Sequence, residues 1–257
     1  MRLVVFASGS SGNCALVRGE RTALLIDAGI SLRRIREALR GEGLTPDDLS
    51  GVLITHEHGD HIYALRTMSK YCSFPVYAPG TVARYLDGQL PQLGERLHRI
   101  DENGSFRIGC MEVQAFPTPH DTDQSVGYRI SEGERHLGFC TDTGCVTETM
   151  LESLSGCQTA LIEANHDTDR LLNGPYPFYL KRRILSEHGH LSNADSASLA
   201  CALAGRGTRT VVLGHLSREN NTPDLAGSAV RSALDENGYS DVGLYVAPVS
   251  GAMSVEI

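Results

Sequence analysis

The chain has 257 residues, with 23 Lys and Arg against 31 Asp and Glu, a formal net charge of −8 and seven scattered cysteines. No apolar run is long enough to span a bilayer, the opening Met1–Phe6 lacks the layout of a signal peptide, and an odd number of unpaired cysteines excludes a disulfide scaffold and argues against a cysteine-built zinc. The expectation is one cytoplasmic domain over residues 1–257, whose acidic balance, taken alone, counts against a nucleic-acid partner.

In chain order, Ser8-Gly-Ser-Ser-Gly-Asn13 reads as a tight turn whose N–H groups face a phosphate, with Ser10 and Asn13 as polar contacts. Thr22–Ile26 is a short apolar run, read as a buried strand, and ends at Asp27. Ser31 caps a helix through Leu32, Ile35 and Leu39 to Gly41. Val52–Thr55 is a strand ending at His56, and the chain then bends at Gly59 into a helix holding Leu65 and Met68. Val113–Phe116 leads to His120, His136–Cys140 to Asp142, and Thr159–Ile162 to Glu163, Asn165 and His166. Lys181-Arg182-Arg183 is the only compact basic run, and Tyr176, Phe178 and Tyr179 lie beside it, so the segment suits phosphate neutralisation and base stacking. Ser192, with Asp195 three residues on, opens a capping-box helix through Leu199 and Leu203. Thr210–Leu213 leads to His215, and Asp224 caps a last helix through Val230 and Leu234 towards Gly238.

Polar residues placed repeatedly at strand ends converge on one sheet edge, where layered α/β proteins bind ligands. The densest such segment is His56-Glu57-His58-Gly59-Asp60-His61. Residues two apart on an extended chain point the same way, so His56 and His58 offer paired imidazoles, while Asp60 and His61 face another direction as the helix begins. One hexapeptide thus supplies ligands for two adjacent metal sites. Imidazole and carboxylate suit zinc or manganese, with iron also possible.

With these motifs the sequence resembles the metallo-β-lactamase superfamily over essentially its whole length. The resemblance implies an α/β (α+β) fold, an αββα four-layer sandwich, and a dinuclear hydrolase. Residue by residue it implies His56, His58 and His120 on one ion, Asp60, His61 and His215 on the other, and Asp142 between them. Asp27 would stand behind the ligands, accepting a ring N–H and fixing a tautomer. The Ser8–Asn13 opening, Glu163-Ala-Asn-His-Asp167, Gly174-Pro-Tyr-Pro177 and Gly189-His190-Leu-Ser-Asn look like the YycJ/WalJ-like subgroup, regarded as DNA exonucleases. That resemblance implies 5′-to-3′ digestion. Two-metal chemistry leads to the expectation of a bridging hydroxide as nucleophile, with Asp60, Asp142 and His190 as the expected catalytic residues. His190, before a helix N-terminus, suits protonation of a leaving oxygen. Two bound divalent ions would offset the acidic balance in the cleft.

Ser10, Asn13, His166, Lys181 and Arg182 are the expected substrate contacts, and His98 and His136 are expected at the surface. Roughly seventy residues separate Asp142 from His215, too few for the extra domain of some nucleic-acid-processing relatives. Two alternatives remain open from the sequence: a small-molecule hydrolase of the same fold (thioesterase, lactonase or cyclic phosphodiesterase), and a regulatory metal-binding protein.

Overall fold

The structure is a computed structural model that describes residues 1–257. It divides into two compact units. The first comprises Met1–Ala115, Thr122–Val126 and Pro248–Ile257, and the second Phe116–Asp121 and Gly127–Ala247.

In the first unit, β1 (Arg2–Ala7), β2 (Cys14–Arg18), β3 (Ala23–Ile26), β4 (Gly51–Leu53), β5 (Val76–Pro79), β6 (Leu97–Ile100) and β14 (Met253–Glu256) form a sheet ordered β14-β1-β2-β3-β4-β5-β6. The antiparallel pairs β14-β1, β1-β2 and β2-β3 give way to parallel pairing from β3 to β6. Parallel neighbours need crossovers, and α1 (Leu32–Gly41), α2 (Gly59–Ile62) with α3 (Leu65–Tyr71), and α4 (Gly80–Gln89) supply them. β7 (Ser105–Ile108) and β8 (Met111–Pro117) form an antiparallel hairpin. The unit has its own core, in which Leu25, Ile35, Leu39, Ile54, Leu65 and Val76 are fully buried.

In the second unit β9 (Val126–Glu132), β10 (Arg135–Cys140), β11 (Thr159–Glu163), β12 (Thr210–Gly214) and β13 (Gly243–Val246) run in the order β13-β12-β11-β10-β9. β10 to β13 are parallel. Their crossovers carry α5 (Glu148–Leu154), then α6 (Thr168–Asn173), α7 (Phe178–Ile184) and α8 (Asn193–Ala204), and finally α9 (Pro223–Glu236). Leu154, Ile162, Leu203, Leu213 and Val230 anchor this core. Every residue of β3 and of β11 is buried, as expected of parallel strands that read as continuous apolar runs.

Three local expectations are corrected. β4 stops at Leu53 rather than Thr55, because the Thr55 N–H and hydroxyl both donate to the Asp27 carboxylate, at 2.9 Å each. Gly59 opens α2 without a positive φ, so the bend does not draw on glycine's freedom. The last helix is capped by Thr222, whose hydroxyl accepts from the Leu225 N–H at 3.2 Å. Pro223 then occupies the first turn, where its missing N–H costs nothing, and Asp224 lies inside the helix. Ser31 and Ser192 cap α1 and α8 as expected, the latter with a full capping box to Asp195.

Candidate functional site

Only three non-glycine residues adopt a left-handed backbone: Asp27 (φ 58°), Asp142 (φ 57°) and His215 (φ 55°). Each follows a parallel strand: β3, β10 and β12. That conformation costs L-residues roughly 1–2 kcal/mol and persists where the surroundings impose it, commonly at functional positions. Here the reversal turns one side chain back at each strand end.

In the first unit, Asp27 is fully buried and accepts from His61 Nδ1 at 2.7 Å. Burial raises its carboxyl above the ordinary range, and the His61 imidazole and the Thr55 donors pull it back. The bond fixes the His61 tautomer, leaving the Nε2 lone pair facing outward. His61 Nε2 stands 3.6 Å from Asp60 Oδ2, and Asn13 Nδ2 lies 3.0 Å from the same nitrogen. The His56 ring centroid is 4.6 Å from that of His58 and 4.1 Å from that of His61. Four candidate donors, His56, His58, Asp60 and His61, therefore share one loop.

In the second unit, Asp142 Oδ2 lies 3.1 Å from His215 Nδ1, and its Oδ1 lies 3.9 Å from both His120 Nε2 and His190 Nδ1. His120 donates through Nδ1 to the Gly189 carbonyl at 3.1 Å, which presents Nε2; burial holds the imidazole below its ordinary pKa, in the neutral form a metal needs. Asn165 pins the His215 carbonyl at 3.0 Å. A Cβ on Gly144 would fall 2.4 Å from the backbone of Glu187 and Gly189, so only glycine lets the Asp142 turn and the His190 loop approach this closely.

Sequence reasoning left Glu163 out of the site. It is fully buried at the end of β11, accepts from His190 Nδ1 at 2.7 Å through Oε1, and from the Thr143 and Leu191 N–H groups at 3.0 and 3.2 Å through Oε2. A carboxylate closing an otherwise apolar strand was the available signal. Burial opposes protonation of His190, but Glu163, by charge and by hydrogen bond, with Asp142 and Asp121 behind it, outweighs burial and pushes the imidazole up to about 9. Asp142, Glu163, His190 and His215 each offer a ligand atom within 4.8 Å of the others.

The expected substrate contacts fare unevenly. Asn13 is buried, and its side chain accepts from the Gly9 N–H at 2.9 Å and donates to the Gly9 carbonyl at 3.2 Å, so it holds the loop beside His61 instead of facing solvent. His166 is buried, neither ring nitrogen has a hydrogen-bond partner within the protein, and burial lowers its pKa. Ser10 is exposed. In the basic run, Arg183 pairs with Asp121 beside His120 and Lys181 donates to the Leu172 carbonyl at 2.7 Å, whereas Arg182 is exposed. Phe178 and Tyr179 are each 75% exposed on the same helix. His98 is exposed, as expected, while His136 is half-buried and bonded to Ser131 at 2.8 Å.

Each unit thus offers imidazole and carboxylate donors, which fit divalent zinc, manganese or iron. Burial pushes the Cys14 and Cys140 thiols up, so neither competes as a thiolate. All seven cysteines are free, and no helix is long and apolar enough to cross a membrane.

A family model described as the β-lactamase superfamily domain matches residues 22–216. The exodeoxyribonuclease YycJ of Bacillus anthracis is 35% identical, over 91% of this chain and 89% of its own. The exodeoxyribonuclease WalJ of Streptococcus pneumoniae is 36% identical, over 86% of this chain and 84% of its own. Among solved structures, Zn(2+)-bound PqqB from Methylobacterium extorquens superposes with a TM-score of 0.75 over 100% of both chains, at 17% identity. Two mixed sheets with flanking helices, the family match and these relatives agree: the chain belongs to the β-lactamase superfamily, as a metallo-β-lactamase-fold hydrolase similar to YycJ and WalJ.

Proposed function

We propose that this protein is a metal-dependent exodeoxyribonuclease, digesting DNA from 5′ to 3′ with two divalent ions. His56, His58 and His120 would hold one ion, Asp60, His61 and His215 the other, and Asp142 both. When bound, the ions activate water and neutralise charge on the attacked and leaving oxygens. The chain's own residues do the rest. Asp27 orients His61, Gly189 orients His120, and the Glu163–His190 pair keeps an imidazolium ready to protonate a leaving oxygen.

The observation that carries this reading is the 2.7 Å His190–Glu163 pair set 3.9 Å from Asp142, a proton donor at the edge of a metal-ligand cluster. The surroundings favour a nucleic-acid substrate over a small molecule. α7, which carries the exposed Phe178, Tyr179 and Arg182, ends at Ile184, whose carbonyl accepts from the His190 N–H at 3.0 Å, so the end of the helix is tied to the His190 loop. Exposed aromatics beside cations suit single strands, which they bind by stacking and phosphate contact. The names and near-complete coverage of YycJ and WalJ support DNA as the substrate.

Purified protein loaded with manganese or zinc should shorten duplex or single-stranded DNA from its 5′ ends, with less action on RNA and none on a thioester. Activity on the thioester alone would replace this reading with a small-molecule hydrolase, and inactivity with metal fully bound would favour a binding protein.

The double variant Lys181→Ala, Arg182→Ala should weaken DNA binding and flatten its dependence on log[salt] by about one contact's worth or somewhat more, with a smaller change in saturated turnover. Most of the effect should come from Arg182, because Lys181 already serves the Leu172 carbonyl. Binding titrations across salt concentrations measure it. An unchanged slope would move the DNA path off α7.

A further inference from the structure

The first unit contains a cavity of about 370 Å3 that takes no part in the roles assigned so far. Its walls are Ser11, Ser31, Arg34, Gly59, Asp60 and Tyr63. Arg33 spends its guanidinium on Glu37, at 3.8 Å, but half-buried Arg34 has no carboxylate partner. Tyr63 is 67% exposed, one turn beyond Asp60. A cation, an open aromatic face and a serine hydroxyl thus surround one cavity beside a proposed metal ligand.

The floor is fixed to that ligand. The Asp60 carbonyl accepts from the Asn13 N–H at 2.8 Å, the Asn13 carbonyl accepts from the Gly29 N–H at 2.8 Å, and Ala28 N–H donates to the His61 carbonyl at 2.7 Å. A Cβ on Gly29 would fall 1.6 Å from the Asp60 carbonyl oxygen, so the cavity floor and the ligand loop are in direct backbone contact. Whatever fills the cavity is held at a fixed distance from Asp60.

Size and charge limit the occupant. At 370 Å3 the cavity sits at the small end of ligand sites, which run from roughly 300 to 1,000 Å3. A neighbouring cavity of about 220 Å3 shares Ile30 and Arg34, but its other walls include Phe6, Ala38 and the carboxylate of Glu37. A second phosphate would meet no cation there beyond the shared Arg34. A cavity of about 710 Å3 along α8 and α9 in the other unit is lined by Asp167, Asp169 and Glu236 and by no Lys or Arg, so it does not suit an anion.

We infer that the Arg34–Tyr63 cavity is a one-nucleotide subsite for the end of the substrate strand, with Arg34 on a phosphate and Tyr63 stacked on a base. The inference rests on the nuclease reading and deepens it: a pocket one nucleotide deep beside Asp60 sets an exonuclease's step length. Charge-assisted arginine–phosphate bonds and base–aromatic stacking are each strong enough to be seen singly.

The test uses metal-loaded protein and a deoxynucleoside monophosphate as the probe. Arg34→Ala should weaken monophosphate binding by about tenfold or more, Arg34→Lys by less, and Tyr63→Ala by a similar order, while Tyr63→Phe binds as wild type. Metal content and melting temperature, measured alongside, should not change in any of the four. Binding by Arg34→Ala equal to wild type overturns the subsite even if the protein digests DNA, as does a wild type that binds no monophosphate. Arg34-dependent binding in a protein that digests no DNA supports the subsite and overturns the nuclease reading.

Discussion

Asp142→Asn should leave a folded protein that no longer holds its metals or hydrolyses its substrate. Asparagine is the informative replacement. Position 142 has φ 57°, a conformation that Asn and Asp tolerate and Ala does not, so Asp142→Ala would mix a backbone penalty with lost chemistry. The carboxylate faces His215 at 3.1 Å and His120 at 3.9 Å, and one neutral amide oxygen cannot serve two cations as a carboxylate can. Divalent ions supply several kcal/mol of transition-state stabilisation, so activity should fall about a thousandfold or more. Metal binding also stabilises the folded state, by about 2.7 kcal/mol at a hundred times Kd. In a chain of this size that is roughly 5–10 °C of melting temperature, a rise that manganese or zinc should produce in the wild type and not in the variant. Chelation of the wild type should reproduce both losses, and re-addition of metal should reverse them. Wild-type turnover by the variant would remove Asp142 from the centre.

What the sequence disclosed depended on how locally each feature is encoded. His56, His58, Asp60 and His61 lie in six consecutive residues, so their spacing on an extended chain and first helical turn announced a shared direction. Buried parallel strands were equally legible, because β3 and β11 must be apolar on both faces. Asp27, Asp142 and His215 were found at strand ends, but the backbone reversal that turns them back is a tertiary property without a residue signature, glycine being absent at all three. The α9 cap was misplaced by two residues because Thr222 and Asp224 are both good caps, and Pro223 at the first helical position decides between them. The burial of Asn13 and His166 was out of reach of the sequence for one reason. Both are polar residues in motif-rich loops, and only the packing shows that each is buried, Asn13 bonded to Gly9 and His166 enclosed without a hydrogen-bond partner. Glu163 was seen at a strand end but given no role, because its partners, Thr143, His190 and Leu191, lie 20 to 28 positions away in sequence.

That pairing leads to the other large expected effect. His190→Ala should cut turnover by about a hundredfold or more while leaving metal content unchanged, if the imidazole is the general acid. Glu163 must be tested with a replacement that keeps its other bonds. Alanine would strand the Thr143 and Leu191 N–H groups and His190 in a fully buried setting, at about 1–3 kcal/mol for each group, and could unfold the second unit. Glutamine retains an oxygen for the two N–H donors, and removes both the charge and the acceptor that faces His190. The direction of the pH effect follows from what Glu163 does. Its charge and hydrogen bond push His190 up, to about 9, and so favour the acid form. Without the carboxylate the imidazole loses its proton at lower pH, and the alkaline limb of the kcat/KM profile of Glu163→Gln should move to lower pH. A histidine that merely packs against the cluster would leave that limb where it is. If His190→Ala instead releases a metal ion, His190 is a ligand, the division of donors between the two ions must be redrawn with Glu163 beside it, and the proton must reach the leaving oxygen from another group.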